Sequence, residues 1–120
     1  HVHFAGRLNN ADLVCAVAGA EGLVFVPWFE GFGIPVVEAM ACGVRVISSN
    51  VTSLPEVCGD AAFALVDPAA SGVIAQEMHR LELDSGAAQE ARERGLVRAQ
   101  HYSWAATGAK LDETLKTLLS

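Results

Sequence analysis

Basic residues are scarce in this chain: eight Lys and Arg stand against fourteen Asp and Glu, a formal charge of −6 at neutral pH. A phosphate backbone needs a basic face, so nucleic acid is excluded as a partner. Charged residues of both signs reach only 18% against 52% hydrophobic ones, which excludes a disordered chain and a charged coiled coil. No apolar run approaches the ~20 residues that span a bilayer. Cysteine is limited to Cys15, Cys42 and Cys58, an odd and widely spaced set. That set fits no disulfide or metal framework and points to buried, reduced thiols in a cytoplasmic protein. His1 and His3 alternate on one side of a short extended segment but have no third ligand, so no metal is expected there. There is no internal repeat, no low-complexity segment, no signal-peptide pattern and no G-x-G-x-x-G after a strand. His1 is not a natural start, so further sequence upstream is expected.

At 120 residues the chain is one domain with a single core. Its organising stretch is Trp28 to Gly43. Leu23 to Val26 is a continuous apolar run, as in a strand buried on both faces. A glycine loop follows, in which Gly31 and Gly33 permit a positive φ or a close backbone approach to a ligand. Pro35 suits the first turn of a helix, and Gly43 suits its left-handed end. A helix N-terminus behind a glycine loop can hold an anion such as a diphosphate. Glu30 ends the strand, at the rim where open α/β sheets bind ligands, and Glu38 lies about one turn into the helix, where a carboxylate can accept two ribose hydroxyls. Taken singly, either acid could do no more than favour the positive helix end.

Around this stretch the pattern alternates strand and helix, which implies a parallel sheet with right-handed crossovers. Val2 to Ala5 reads as a strand ending at Gly6. Asn10, Ala11 and Asp12 begin a helix to about Ala18, with Leu13, Val14 and Val17 as its apolar stripe and Gly19 as its stop. Val44 to Ile47 is a third strand, with Arg45 facing solvent at its start. Ser53 and Glu56 match a capping box for a one-turn helix that Gly59 closes. Ala61 to Val66 is a fourth strand, broken at Asp67-Pro68. Val73, Ile74, Met78 and Leu81 recur at helical spacing, so a helix runs from about Ala69 to Leu83 with Met78 as core filler. A second helix runs from Ser85 or Gly86 to about Gln100, with Arg92, Glu93, Arg94 and Arg98 as a solvated face. Ser103 caps a last helix over 103–119, with Trp104, Leu111, Leu115 and Leu118 on one stripe.

The ordered blocks carry a family resemblance. Glu30 and Glu38 separated by seven residues, Gly-Phe-Gly-Ile-Pro between them and Ala-Met-Ala-Cys-Gly after them, then Val46 to Asn50, Leu54-Pro55-Glu56-Val57, Gly59-Asp60, Val66-Asp67-Pro68 and Tyr102-Ser103-Trp104 resemble the group 1 (family-four) retaining glycosyltransferases. The resemblance covers nearly the whole chain and implies a partial C-terminal, nucleotide-sugar-binding domain of the GT-B fold, a Rossmann-like three-layer α/β arrangement with about four strands. It implies that Glu38 holds the donor's ribose, that Glu30 orients the donor sugar in catalysis without being a nucleophile, and that Gly31, Phe32, Gly33, Ile34 and Val36 face the sugar and diphosphate. Gly6, Arg7 and Leu8 would line the base pocket. The donor is a nucleotide-diphosphate sugar, with no cofactor or metal. The acceptor domain, a basic Arg and Lys pair that neutralises the diphosphate, and a membrane-associated acceptor all belong to a longer parent. Arg7 is the sole candidate replacement for that pair, so the isolated chain should transfer little or no sugar. In the order 3-2-1-4-5-6 the absent strands fall between Val2 and Leu23, which either pair directly or leave open edges. Open apolar edges, or the last helix, would favour a homo-oligomer. A non-catalytic nucleotide-sugar-binding or oligomerising fragment is the rival reading.

Overall fold

The computed structural model describes all 120 residues, His1–Ser120. Helix α1 (Asn10–Ala18) leads to strand β1 (Gly22–Phe25), helix α2 (Ile34–Ala41), strand β2 (Arg45–Ser49), the short helix α3 (Leu54–Cys58) and strand β3 (Ala64–Val66). Three helices follow: α4 (Ser71–Leu83), α5 (Ser85–Ala99) and α6 (Trp104–Leu119). The sheet is parallel in the order β1-β2-β3, with Val24 opposite Ile47 and Ser48 opposite Leu65. The α/β architecture with helices on both faces is the expected one.

The sheet has three strands where four were expected. Val2 to Ala5 forms no strand, and residues 1–9 are irregular, with Phe4 91% exposed. The cause is pairing. A strand exists only beside a partner, and no strand of the sheet pairs with this segment. It does not pair with β1, so β1 is an edge. Its Val24 is exposed, and the expectation of burial on both faces holds for β2 instead, where Val46 to Ser49 are all buried.

Val46 and Ile47 point to opposite faces, as neighbours on a strand must, and each anchors one half of the core. Val46 joins Val36, Ala39, Met40, Leu54, Val57 and Ala61 under α2 and α3. Ile47 joins Phe63, Val66, Leu81, Ala88 and Ala91 under α4 and α5. α5 serves both halves because its small residues let it pass close to α2; a Cβ on Gly95 would stand 3.3 Å from Met40 Cγ.

Three further expectations are corrected. Met78 is 47% exposed and fills no core, because Ile74 and Leu81 alone turn inward on α4. The Arg45 side chain is only 16% exposed and bridges to Glu21 at 2.6 Å. Of the cysteines only Cys58 is buried; Cys15 is exposed, because α1 has no buried residue and its Leu13 and Val14 lie open. The α6 stripe is likewise open from Trp104 (88% exposed) to Leu118 (75%). No helix is long and apolar enough to cross a membrane.

Candidate functional site

The loop from Pro27 to Gly33 joins β1 to α2 and is held in an unusual way. Apart from the carbonyl of Gly33, which starts α2, it forms no backbone–backbone hydrogen bond outside the ladder. Side-chain hydroxyls from the end of β2 and the β2–α3 connection hold it instead. Ser49 Oγ donates to Pro27 O at 2.8 Å, and the Glu30 N–H donates to Thr52 Oγ1 at 3.2 Å. Ser53 Oγ lies 3.0 Å from Glu30 O and 3.1 Å from Phe32 O, and its one proton serves the two carbonyls. The expected capping box is therefore absent. Ser53 occupies the N-cap of α3 without bonding an α3 amide, and Glu56 is exposed, because the hydroxyl is committed to the loop.

Gly33 is the N-cap of α2 with φ 103° and ψ 44°, and a Cβ there would lie 2.6 Å from the buried Leu54 Cδ2. Glycine is thus required at 33 on two counts. Gly31 differs: its φ is not positive and nothing lies within 4 Å of where a Cβ would stand. Of the two roles expected for it, only open space for a close approach remains. The Glu30 carboxylate turns back on its own loop, where Oε1 accepts from the Gly31 N–H at 3.0 Å and more weakly from the Phe32 N–H at 3.4 Å. The Gly33 and Ile34 N–H groups find no acceptor in the chain. Val36 is a correction to the expected set of free amides. It is fully buried, and its N–H donates to Gly33 O at 3.0 Å.

Glu38 is exposed, with no hydrogen-bond or ion-pair partner for its carboxylate. It lies on the same side of α2 as Ile34 and Val37, and all three line a groove of about 570 Å³ with Phe32 and the segment from His101 to Lys110. That size suits a small-molecule ligand. Of the expected residues the groove gathers Phe32, Ile34 and Glu38, and it does not include Glu30, Gly31, Gly33 or Val36. Gly6, Arg7 and Leu8 lie in the irregular N-terminal segment, outside the groove. They make no hydrogen bond, and Arg7 is exposed without a counter-charge.

The far wall is built by the segment holding Tyr102, Ser103 and Trp104, one of the blocks that carry the family resemblance. Tyr102 meets Phe32 edge to face, with ring centroids 5.5 Å apart at 84°. Arg98 is not part of a solvated face. Its Nε donates to Val57 O at 2.9 Å, and its Nη2 donates to Glu56 O and to Tyr102 Oη at 2.9 Å. The cation thereby meets the carbonyl end of α3, where positive charge is favoured. The one available signal was the four-residue spacing of Arg98 and Tyr102, which puts both on one face of α5 as it ends. Cys58 lies fully buried at this end of α3, and burial pushes its thiol from 9.0 to about 11, against smaller opposing effects of Ser48 and the Arg98 charge. The Ser48 contact falls short of good hydrogen-bond geometry, since the buried Ser48 Oγ has no proper partner.

Residues 1–98 match the sequence profile described as glycosyl transferases group 1. The O-antigen chain mannosyltransferase B of Escherichia coli is 40% identical over 103 residues, which is 86% of this chain and 27% of that protein. The serotype-specific mannosyltransferase WbdA of Escherichia coli is 36% identical over 118 residues, 97% of this chain and 14% of that one. Among solved structures, sucrose-phosphate synthase from Thermosynechococcus elongatus superposes with a TM-score of 0.82 at 26% identity, covering 98% of this chain and 30% of its own. The chain thus spans less than a third of each of these proteins.

Proposed function

This chain belongs to the group 1 glycosyl transferases, with the GT-B architecture of its structural neighbour, and from that premise we propose that it is the donor-binding part of a retaining transferase. The donor is a nucleotide-diphosphate sugar. The observation that carries this reading is the exposed, unpaired Glu38 one turn inside a helix whose first amides, at Gly33 and Ile34, have no acceptor. A diphosphate satisfies those amides and the positive helix end, and Glu38 accepts from the ribose hydroxyls.

Glu30 orients the donor sugar. To reach a sugar hydroxyl its carboxylate leaves the Gly31 and Phe32 amides, and those N–H groups then become donors for a phosphate oxygen. One anion replaces another, so the loop amides are satisfied before and after binding. As the anomeric bond breaks, negative charge grows on the departing diphosphate, and preset amides stabilise it without reorganisation. The names of the two mannosyltransferase relatives favour mannose as the sugar, and the name of one suggests a growing glycan as acceptor. The acceptor, membrane-associated in the parent, is held by a further domain. The reaction belongs to the cytoplasm, where the three free thiols stay reduced.

Calorimetric titration with GDP, UDP, ADP and NAD tests the reading. A nucleoside diphosphate should bind and NAD should not, and Glu38→Ala should weaken the complex about tenfold, the loss of a charged hydrogen-bond acceptor. Absence of binding by all three diphosphates overturns the proposal. In the parent transferase Glu30→Gln should lower kcat more than donor affinity. The rival reading, a non-catalytic nucleotide-sugar-binding or oligomerising fragment, draws on the open edge of β1 and the bare stripe of α6. It predicts nucleotide binding with no transfer even when an acceptor domain is supplied.

A further inference from the structure

We propose that Thr52 and Ser53 are positioning residues for Glu30, fixing the backbone from which the donor-orienting carboxylate reaches the sugar; this rests on the reading of Glu30 given above. Three observations converge on the pair. First, Thr52 is the one non-glycine residue with a positive φ, at 55°. A β-branched residue is sterically ill suited to that conformation, so the fold holds it there against its preference. Second, the two hydroxyls address both sides of Glu30. Thr52 Oγ1 accepts from the Glu30 N–H and Ser53 Oγ donates to the Glu30 carbonyl, across 22 and 23 residues of sequence. Third, Ser53 gives up the helix-capping bond that its position and residue type would otherwise favour. A residue needed only to fold α3 would cap it.

The geometry also accounts for the strain. With Thr52 left-handed, the consecutive side chains of Thr52 and Ser53 both return to the same loop. The loop has no sheet partner to fix it, and its peptide groups must stay available to ligand. Side-chain hydroxyls leave the amide of the exposed Ile34 and the space beside Gly31 free, whereas Gly33 is itself buried against Leu54.

The test uses Thr52→Val, which keeps the shape and removes the acceptor, Thr52→Gly, which relieves the backbone and removes the acceptor, Thr52→Ser, which keeps the hydroxyl, and Ser53→Ala. In the 120-residue chain, the Glu30 amide of Thr52→Val should exchange with solvent about five- to tenfold faster relative to the Val46 amide, and Thr52→Ser should match the parent. In the transferase that contains this segment, Thr52→Val, Thr52→Gly and Ser53→Ala should lower kcat about 10- to 100-fold with donor KM within about threefold. Thr52→Ser should restore kcat. Thr52→Gly should fold at least as well as the parent, so its loss of turnover cannot be ascribed to unfolding. Adding Thr52→Val to Glu30→Gln should cost nothing further, because the first acts through the second. Unchanged Glu30 exchange, unchanged kcat, or full additivity with Glu30→Gln overturns the proposal. A Glu30→Gln variant that keeps its kcat defeats instead the donor-orienting reading of Glu30. An impaired Glu30→Gln beside an unimpaired Thr52→Val defeats only the positioning role.

Discussion

The two glycines of the loop between β1 and α2 separate folding from the proposed binding, and replacing each by alanine measures the separation. At Gly33 the added methyl meets two costs. A φ of 103° is outside the range alanine adopts comfortably, worth about 1–3 kcal/mol. The new Cβ would also stand 2.6 Å from Leu54 Cδ2, about an ångström inside ordinary contact. Leu54 is fully buried and cannot swing into solvent, so overpacking adds about 1–3 kcal/mol. The sum, about 4 kcal/mol, is a large share of the 5–15 kcal/mol expected for a domain of this kind. It should lower the thermal midpoint by about 15 °C, read by circular dichroism with urea unfolding for the free energy. Gly31→Ala should change stability by less than about 0.5 kcal/mol, since its φ is ordinary and its surroundings are empty. The same variant should weaken nucleoside-diphosphate binding, because the methyl enters the space left for ligand. A Gly33→Ala cost below about 1 kcal/mol would refute the argument, and so would a Gly31→Ala variant that unfolds as readily.

Three further outcomes follow from the packing around this loop. Arg98→Met should cost about 2–3 kcal/mol in urea unfolding at constant m, since it strips charged hydrogen bonds from Val57 O and Glu56 O; a cost near zero would show the clamp to be idle. Cys58 is raised in the folded state to about 11 from 9.0, so the fold favours the neutral thiol. Its contribution is complete below pH 9 and is lost as pH climbs toward 11, about 3 kcal/mol in all, and Cys58→Ala should remove that part of the alkaline slope. The chain should self-associate through the α6 stripe or the β1 edge, with Leu115→Glu and Leu118→Glu shifting it toward monomer; light scattering that shows a monomer at high concentration would count against this.

Local signals carried much of the fold into the sequence. Pro35 and Gly43 bracketed α2, Gly59 closed α3, and the last helix began after Ser103, whose Oγ accepts from the Ala106 N–H at 3.0 Å. Where an element depends on a partner, the sequence misled. Val2 to Ala5 has strand character and no strand beside it. The apolar residues Leu13, Val14 and Met78 sit at helical spacing on faces that no element covers. The site divides in the same way. The placement of Glu30 and Gly33 in the loop and of Glu38 on the helix was legible because their spacing is local to one loop and helix. Val36 was misassigned because its amide closes the first turn of the same helix. The Ser53 hydroxyl was assigned to its own helix because capping is the commonest local use of serine there. Nothing in the sequence marks Thr52 as left-handed.

These long-range ties form a closed circuit around the loop. Ser53 holds Glu30 and Phe32 at the start of α3, and Arg98 and Tyr102 hold the carbonyls at its end. Tyr102 then packs its ring on Phe32 and returns to the loop. Phe32 is therefore held from both ends of one short helix and Glu30 from its start, and neither can shift without breaking a hydrogen bond or a ring contact. A loop with almost no backbone hydrogen bonds of its own would ordinarily lose conformational entropy when it closes on a ligand. Here that loss is met during folding, so on the proposed function the loop amides are ordered before a donor arrives. The same circuit explains how the loop is held beside a sheet of only three strands. The strands position β1 and β2, but α3 and the turn from α5 into α6 fix the loop, and all of these lie within the chain.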